Sequence, residues 1–177
     1  TIADYDREKG SITIIFQKIG GSTQALGQLN QGDSILDVAG PLGIATKYTE
    51  GCRRIAVIGG GVGCAIAYPQ AKKLHGLGAD VTVITGFRNK DLLILEDEFN
   101  ACSDKLRVMT DDGSYGKKGL VTAGVEEVIQ REKVDKVVTI GPAIMMKFVA
   151  LLTKKYEVPT ECSLNTIMGD GTGMCGA

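Results

Sequence analysis

The rhythm of apolar and polar positions changes near residue 50. Before it the pattern is β-like: in Ser11–Gln17, Ile12, Ile14 and Phe16 alternate with their neighbours and fall on one strand face. Gly20-Gly21 ends that run, and Ser22 predicts the cap of a short helix carrying Ala25, Leu26 and Leu29. Gln31-Gly32-Asp33 reads as a turn, Ile35 to Ala39 as a second strand and Gly40-Pro41-Leu42-Gly43 as a sharp stop. Two strands and a helix are too few to close a core, so this stretch is expected to belong to a sheet completed elsewhere.

After Gly51, short apolar runs alternate with helical stripes, the pattern of a parallel sheet with crossover helices. Strands are predicted at Arg54 to Ile58, Val81 to Thr85, Leu106 to Met109 and Lys136 to Ile140. The first runs into Gly59-Gly60-Gly61, and a helix follows to about Leu77, ended by Gly78; Pro69 inside it should kink it or shift its start. Asp91 predicts the cap of a helix with Leu92, Leu95 and Phe99 inward. Val121, Val125, Val128 and Ile129 form a further stripe, with Glu127 and Arg131 as a surface pair. Pro142 falls at the first position of the last helix, whose buried face is read as Met145, Phe148, Val149 and Leu152, the methionines filling core.

Composition narrows the function classes. With 177 residues, a net charge of −1 and 23% charged residues, the chain is one domain or a domain with part of another, not a disordered tail. It has no general basic surface, so no nucleic acid partner is expected. No apolar run approaches the roughly 18 residues of a membrane span and no signal peptide opens the chain. A cytoplasmic protein without a membrane partner is the expectation. Its 24 glycines are nearly twice the usual share of about 7%, which implies tight turns or backbone that approaches a ligand. Cys52, Cys64, Cys102, Cys162 and Cys175 are scattered and odd in number, which argues against a disulfide framework and for small buried side chains. The start at Thr1 and the finish at Met174-Cys175-Gly176-Ala177 read as a piece of a longer protein.

The strongest chemical signal is Val57-Ile58-Gly59-Gly60-Gly61-Val62-Gly63-Cys64-Ala65, a strand, a glycine loop and a helix start. Glycines let backbone approach a pyrophosphate, and a helix N-terminus supplies unpaired N–H groups. Gly59 and Gly61 fit the first two positions of a dinucleotide fingerprint, but Cys64 stands at the third. No acidic residue ends the second strand; Thr85-Gly86-Phe87-Arg88 is there instead. A tight turn is the competing reading of the loop. Asp112 and Ser114 are candidates for ribose hydroxyls and Arg88 for adenosine or phosphate, against simple capping or turn roles. His75 is the single histidine; no Ser–His–Asp arrangement can be argued around it, and its place late in a helix suits a dipole partner.

The order of Thr1-Ile2-Ala3, Gly20-Gly21-Ser22-Thr23, Gly40-Pro41-Leu42-Gly43, the glycine loop, Thr110-Asp111-Asp112-Gly113-Ser114-Tyr115-Gly116, Gly141-Pro142 and Asp170-Gly171-Thr172-Gly173-Met174-Cys175-Gly176 resembles the ferredoxin–NADP reductase superfamily. It is most similar to the iron–sulfur flavoprotein branch that holds dihydroorotate dehydrogenase electron-transfer subunits and the NAD-linked subunit of ferredoxin:NADP oxidoreductase, or sulfide dehydrogenase. The resemblance spans essentially the whole chain. It implies an α/β fold: a doubly wound parallel nucleotide-binding sheet (51–160), preceded by part of an antiparallel flavin-binding β-barrel (1–50) and followed by the start of a [2Fe–2S] lobe (161–177).

Residue by residue, the resemblance assigns Thr1, Gly21, Ser22 and Thr23 to FAD. It assigns Gly59, Gly60, Gly61, Val62, Gly63, Arg88, Asp112, Gly113, Ser114, Gly141 and Pro142 to NAD(P). Thr1 matches only the last position of the family's Arg-x-Pro-x-Ser/Thr segment. Ile140 replaces a cysteine often found before Gly-Pro, which leaves positioning, not thiol chemistry, as that segment's role. Asp170 and Cys175 match the first two ligand positions of the Cys-x4-Cys-x2-Cys cluster motif, an incomplete [2Fe–2S] site. No dedicated catalytic residue is identified.

The implied function is an NAD(P)-dependent flavin oxidoreductase subunit. It would exchange hydride between NAD(P)H and FAD and send electrons through [2Fe–2S] to a partner flavoprotein or iron–sulfur subunit, catalytic or electron-accepting. The 177 residues alone are expected to bind nucleotide without turnover. NAD versus NADP and any part in pyrimidine synthesis stay open. A non-catalytic NAD(H)-sensing module is the alternative; it accounts for 51–155 but not for the matches at 20–23 and 170–175.

Overall fold

The computed structural model describes residues 2–40, 42, 46–48 and 51–165. They fall into two compact units, one of 1–15 with 49–164 and the other of 16–48 with 165–177. Thr1, Pro41, Gly43, Asp170 and Cys175 lie outside the described residues.

In the larger unit, β1 (Ile2–Asp6) and β2 (Ser11–Ile14) form an antiparallel hairpin. The alternating doubly wound stretch then runs β3 (Arg54–Gly60), α2 (Cys64–Gly76), β4 (Asp80–Phe87), α3 (Glu96–Ala101), β5 (Lys105–Thr110), β6 (Lys117–Lys118), α4 (Val121–Arg131), β7 (Lys136–Ile140), α5 (Ala143–Lys155) and β8 (Thr160–Cys162). Helix α1 (Gly21–Leu26) belongs to the smaller unit and buries none of its residues. The six strands β3 to β8 form one parallel sheet in the order β6-β5-β4-β3-β7-β8.

Side-chain alternation along β3 decides which helices cover which face. Ala56 and Ile58 point to a core shared with Val121, Val125 and Val128 of α4 and Val149 of α5. Gly59, one step out of phase, faces Cys64 and Ala67 of α2. Both faces are thus covered, and β3 is buried from Ile55 to Gly60, as a central parallel strand requires.

Acidic residues fasten the other edge of the sheet. Asp135 Oδ2 accepts the N–H groups of Arg53 (3.0 Å) and Arg54 (2.9 Å), tying the loop before β7 to the start of β3. Those bonds hold its carboxyl below the usual carboxylate range. Asp104 Oδ2 accepts Val81 N–H at 2.7 Å and does the same for β4. His75, in the last turn of α2, lies 3.9 Å from that carboxylate. Glu127 and Arg131 pair at 2.8 Å as expected, and Lys117 and Arg107 join the same carboxylate from β6 and β5.

Several expectations are corrected. Ile35 to Ala39 form no strand; all five are exposed, and no strand among the described residues pairs with them. The helix cap is Gly20, two residues before the predicted Ser22. The segment after Asp91 is a single 3-10 turn (Lys90–Leu92) followed by the short α3, with Leu95 in the left-handed region at φ 63°. Phe99 is fully buried, whereas Leu92 is half exposed. On α5, Phe148 is 54% exposed and Met146 is buried in its place. Pro142 precedes the helix as its cap and does not open its first turn. Helix α2 runs through Pro69 without interruption.

Ile58→Ala should cost about 2–5 kcal/mol in urea unfolding, because it opens a cavity in the sealed core. Phe148→Ala should stay within about 0.5 kcal/mol, as for an exposed site. The reverse ranking would show that α5 packs by the face the sequence predicted.

Candidate nucleotide-binding site

The chain proceeds from β3 outward through β4 and β5, then returns to β7 on the other side of β3. The crevice beyond the carboxyl ends of β3 and β7 is therefore the topological switch point, where doubly wound sheets take their ligands. The loop after β3 (a 3-10 turn, Gly61–Gly63) and the Ile140-Gly141-Pro142 corner after β7 meet there. A Cβ on Gly63 would stand 2.7 Å from both Gly141 Cα and Ile140 O. One on Gly141 would stand 2.9 Å from Met145 Cε and 3.1 Å from the Gly60 backbone. One on Gly60 would run into Met145 Sδ, with Pro142 Cδ at 3.1 Å. Side chains are thus excluded along the seam where the two loops touch.

Gly61 differs, since the space around it is open and its φ of 53° is left-handed. This open turn delivers the chain to α2, which has no acidic residue in its first turn and no side-chain cap. The first N–H groups of a helix lack intrahelical partners, and the dipole adds partial positive charge there. A cradle of that kind fits a pyrophosphate.

The unusual cysteine of the fingerprint is also explained. A Cβ on Gly59 would lie 2.8 Å from Cys64 Sγ and 3.3 Å from Ala67 Cβ, so α2 seats on β3 through a small residue and a glycine. Cys64 serves the close helix–strand packing that the third glycine usually serves. Burial pushes its thiol up to about 12, so it is a packing group and not a nucleophile.

The other candidates lie at the ends of β4 and β5, adjacent strands whose last pair is Phe87 and Thr110. Asp112 Oδ1 accepts the Ser114 N–H (2.9 Å) and hydroxyl (2.6 Å), which hold its carboxyl below the usual range. Ser114 Oγ in turn accepts Lys90 N–H at 2.8 Å, and Asp112 N–H donates to Arg88 O at 3.3 Å. Arg88, Asp112, Gly113 and Ser114 therefore sit together on one braced pair of exposed loops.

Three residues that the sequence reading did not single out do the bracing. Buried Thr110 donates its hydroxyl to Tyr115 O at 2.5 Å and accepts Tyr115 N–H at 3.2 Å. Tyr115 OH donates to Glu96 Oε1 at 2.9 Å, and the Lys90 ammonium lies 5.6 Å from the Tyr115 ring centroid. A threonine ending a strand before Asp-Asp-Gly was the available signal.

In the smaller unit, Gly20 takes φ 79° at the start of α1. Thr23 Oγ1 donates to Ile19 O at 2.5 Å and accepts Ile19 N–H at 2.8 Å. Its hydroxyl thus shapes the turn, while Gly21 has open space where a Cβ would be. No set of three or more His, Cys, Asp or Glu side chains suits a metal ion among the described residues. None of the described helices is long and apolar enough to cross a membrane.

An open depression lined by Ala150, Thr153, Lys154, Glu157, Pro159 and Thr160 lies at the opposite edge, where α5 ends and β8 begins. Ligands of doubly wound sheets bind outside the carboxyl ends of the strands, so this depression is not the site.

A Thermotoga maritima dihydroorotate dehydrogenase B (NAD(+)) electron transfer subunit homolog is 45% identical over 177 residues, covering 100% of this chain and 62% of that protein. The structure of an NADH-dependent reduced ferredoxin-NADP oxidoreductase superposes with a TM-score of 0.89 at 44% identity, covering 100% of this chain and 63% of that one. The chain is a homologue of dihydroorotate dehydrogenase B electron-transfer subunits. An uncharacterized Clostridium beijerinckii protein from the adh 3′ region is 48% identical over 185 positions, covering 100% of this chain and 62% of that one. No protein-family model matches. The chain spans just over three fifths of the length of these relatives. The six-stranded parallel sheet with its two-stranded hairpin is an α/β fold with ferredoxin reductase-like neighbours.

Gly63→Ala should weaken NADH binding at least tenfold in calorimetric titration and lower the melting temperature, because the added methyl separates the two loops. Unchanged affinity would show that their close approach is dispensable. In native protein at pH 7, iodoacetamide should label the half-buried Cys52 and Cys162 before the buried Cys64 and Cys102. Early labelling of Cys64, read by peptide mass spectrometry, would contradict its packing role.

Proposed function

We propose that this chain forms the nucleotide-binding part of an electron-transfer subunit that exchanges hydride between NAD(P)H and FAD and passes electrons through a [2Fe–2S] centre to a partner subunit. The seam of Gly60, Gly63 and Gly141 at the switch point carries the reading, because it brings the two loops together beside an uncapped helix start and the open turn at Gly61.

In this reading the loop Gly59 to Gly63, with Val62 at its crest, holds the NAD(P) pyrophosphate through backbone N–H groups. Asp112 and Ser114 take ribose hydroxyls, and Arg88 and Gly113 border the adenosine end. Gly141 and Pro142 shape the floor beside the nicotinamide. On the flavin side, Gly21, Ser22 and Thr23 hold the FAD diphosphate at the start of α1, and the resemblance assigns Thr1, outside the described residues, to the flavin ring. The open space at Gly21 and the absence of an acidic residue in that turn fit such an anion. FAD supplies the chemistry of accepting an electron pair as hydride and releasing electrons singly. The chain's part is to align rings and exclude water; no described side chain stands as an acid or base. Asp170 and Cys175 would be the chain's share of the iron ligands, and they support no further step here.

The visible spectrum of the protein at the full length of its relatives tests this. It should show a flavin band and stoichiometric iron, and anaerobic NADH should bleach the flavin. Absence of both flavin and iron would overturn the redox reading in favour of a nucleotide-sensing module. The 177 residues by themselves should bind NADH and retain no [2Fe–2S] centre.

A further inference from the structure

The hairpin at the start of the chain is fastened to the nucleotide fold by a cluster that the proposed function leaves unused. Ala3 of β1 is 1% exposed, and the next residue, Asp4, meets α2. Lys72 Nζ donates to Asp4 Oδ1 at 2.7 Å and to Oδ2 at 2.9 Å, so the carboxylate is gripped by both oxygens. Tyr68, one turn earlier on α2, directs its OH toward Asp4 Oδ2 at 3.4 Å. The Lys72 ammonium also lies 5.5 Å from the Tyr68 ring centroid. That ring is held edge-on by Phe99 of α3, with centroids 5.7 Å apart at 89°.

Lys72 is about half exposed and Asp4 about a third, and ion pairs this open add little to stability. What the pair does supply is position. It joins residues 68 apart in sequence. It does so on the same helix whose first turn forms the pyrophosphate cradle. Helix α2 is therefore held at its N-terminus by the glycine seam and in its second half by β1. Thr1, placed at the flavin ring in the function proposed above, directly precedes β1 in sequence.

We propose that Asp4 and Lys72, supported by Tyr68, are a positioning pair that sets β1 against the nucleotide-binding helix for hydride transfer. The inference rests on the proposed redox function. In that reaction hydride leaves the dihydronicotinamide ring with its electron pair and forms the N5–H bond of the flavin. NADH is oxidised to NAD+ and the flavin reduced to its anionic hydroquinone, so no further reactant is needed. Such transfers are steeply sensitive to placement, and a misplacement of about 1 Å can cost on the order of 100-fold.

The test is stopped-flow reduction of the FAD-loaded, full-length protein by anaerobic NADH. Asp4→Asn and Lys72→Met should each slow flavin bleaching at saturating NADH about tenfold or more. FAD content and NADH affinity should stay within about twofold of wild type, since neither residue lies in the cradle. The exchanged double variant, Asp4→Lys with Lys72→Asp, should recover most of the rate, and Lys72→Arg should lose less than Lys72→Met. Single variants that bleach at the wild-type rate overturn the inference. So does an exchanged variant as slow as the singles, or a loss confined to NADH affinity. A wild type whose bound flavin NADH fails to bleach overturns the functional reading itself, and this inference with it.

Discussion

Backbone-to-backbone approach at the switch point is the constraint on which the site depends. Gly63 and Gly141 come from loops that follow different strands, and neither position has room for a methyl group. The register of β3 against β7 brings them together, with Gly59 opposite Ile140 at the end of the ladder. The approach has a physical consequence beyond space. It aims the start of α2 over the end of β7, so helix N–H groups and the Gly141-Pro142 corner share one crevice. A side chain at Gly63 would force the two loops apart whatever the rest of the sheet did.

The same logic runs down α2. Gly59 and Ala67 let the helix lie close to β3, and Cys64 completes the contact with a thiol kept neutral by burial. Small residues at these positions are structural necessities of the site, although none of them donates a functional group to it. On the neighbouring strands the brace is polar. Thr110, Asp112, Ser114 and the Lys90 N–H tie the loops after β4 and β5 into one unit. Rigid loops at the carboxyl edge allow a nucleotide to be ordered at low conformational cost.

Most of the doubly wound sheet was legible in the sequence because its strands are buried on both faces. Lys136 to Ile140 is the observed β7, and β3 and β4 differ from expectation only by extensions at their ends. The glycine loop was legible for the same reason, as a break between a fully apolar run and a helix. Elements that depend on distant partners were not. Ile35 to Ala39 has strand composition but no strand beside it among the described residues, so it stays irregular and exposed. Strand β1 alternates Ile, Asp and Tyr too briefly to announce itself, and it is held by Ala3 and Asp4 against a helix some 68 residues away. Phe148 was assigned inward as part of a helical stripe with Val149, yet α5 buries Met146 beside Val149 and leaves Phe148 exposed. Of the proposed site residues, the described ones at the sheet edge fall on the loops the sequence pointed to. The bracing by Tyr115 and Glu96 was hidden because it joins residues 19 apart through a turn that no period predicts.

The central claim is that nucleotide binds across the β3–β7 crevice through these two loops. Hydrogen–deuterium exchange of the 177-residue chain with and without saturating NADH tests it most directly. Protection is expected in peptides covering 59–65 and 140–143, with weaker protection at 110–116. Protection confined to the depression at 150–160, or no change at the glycine seam when NADH is bound, would contradict it.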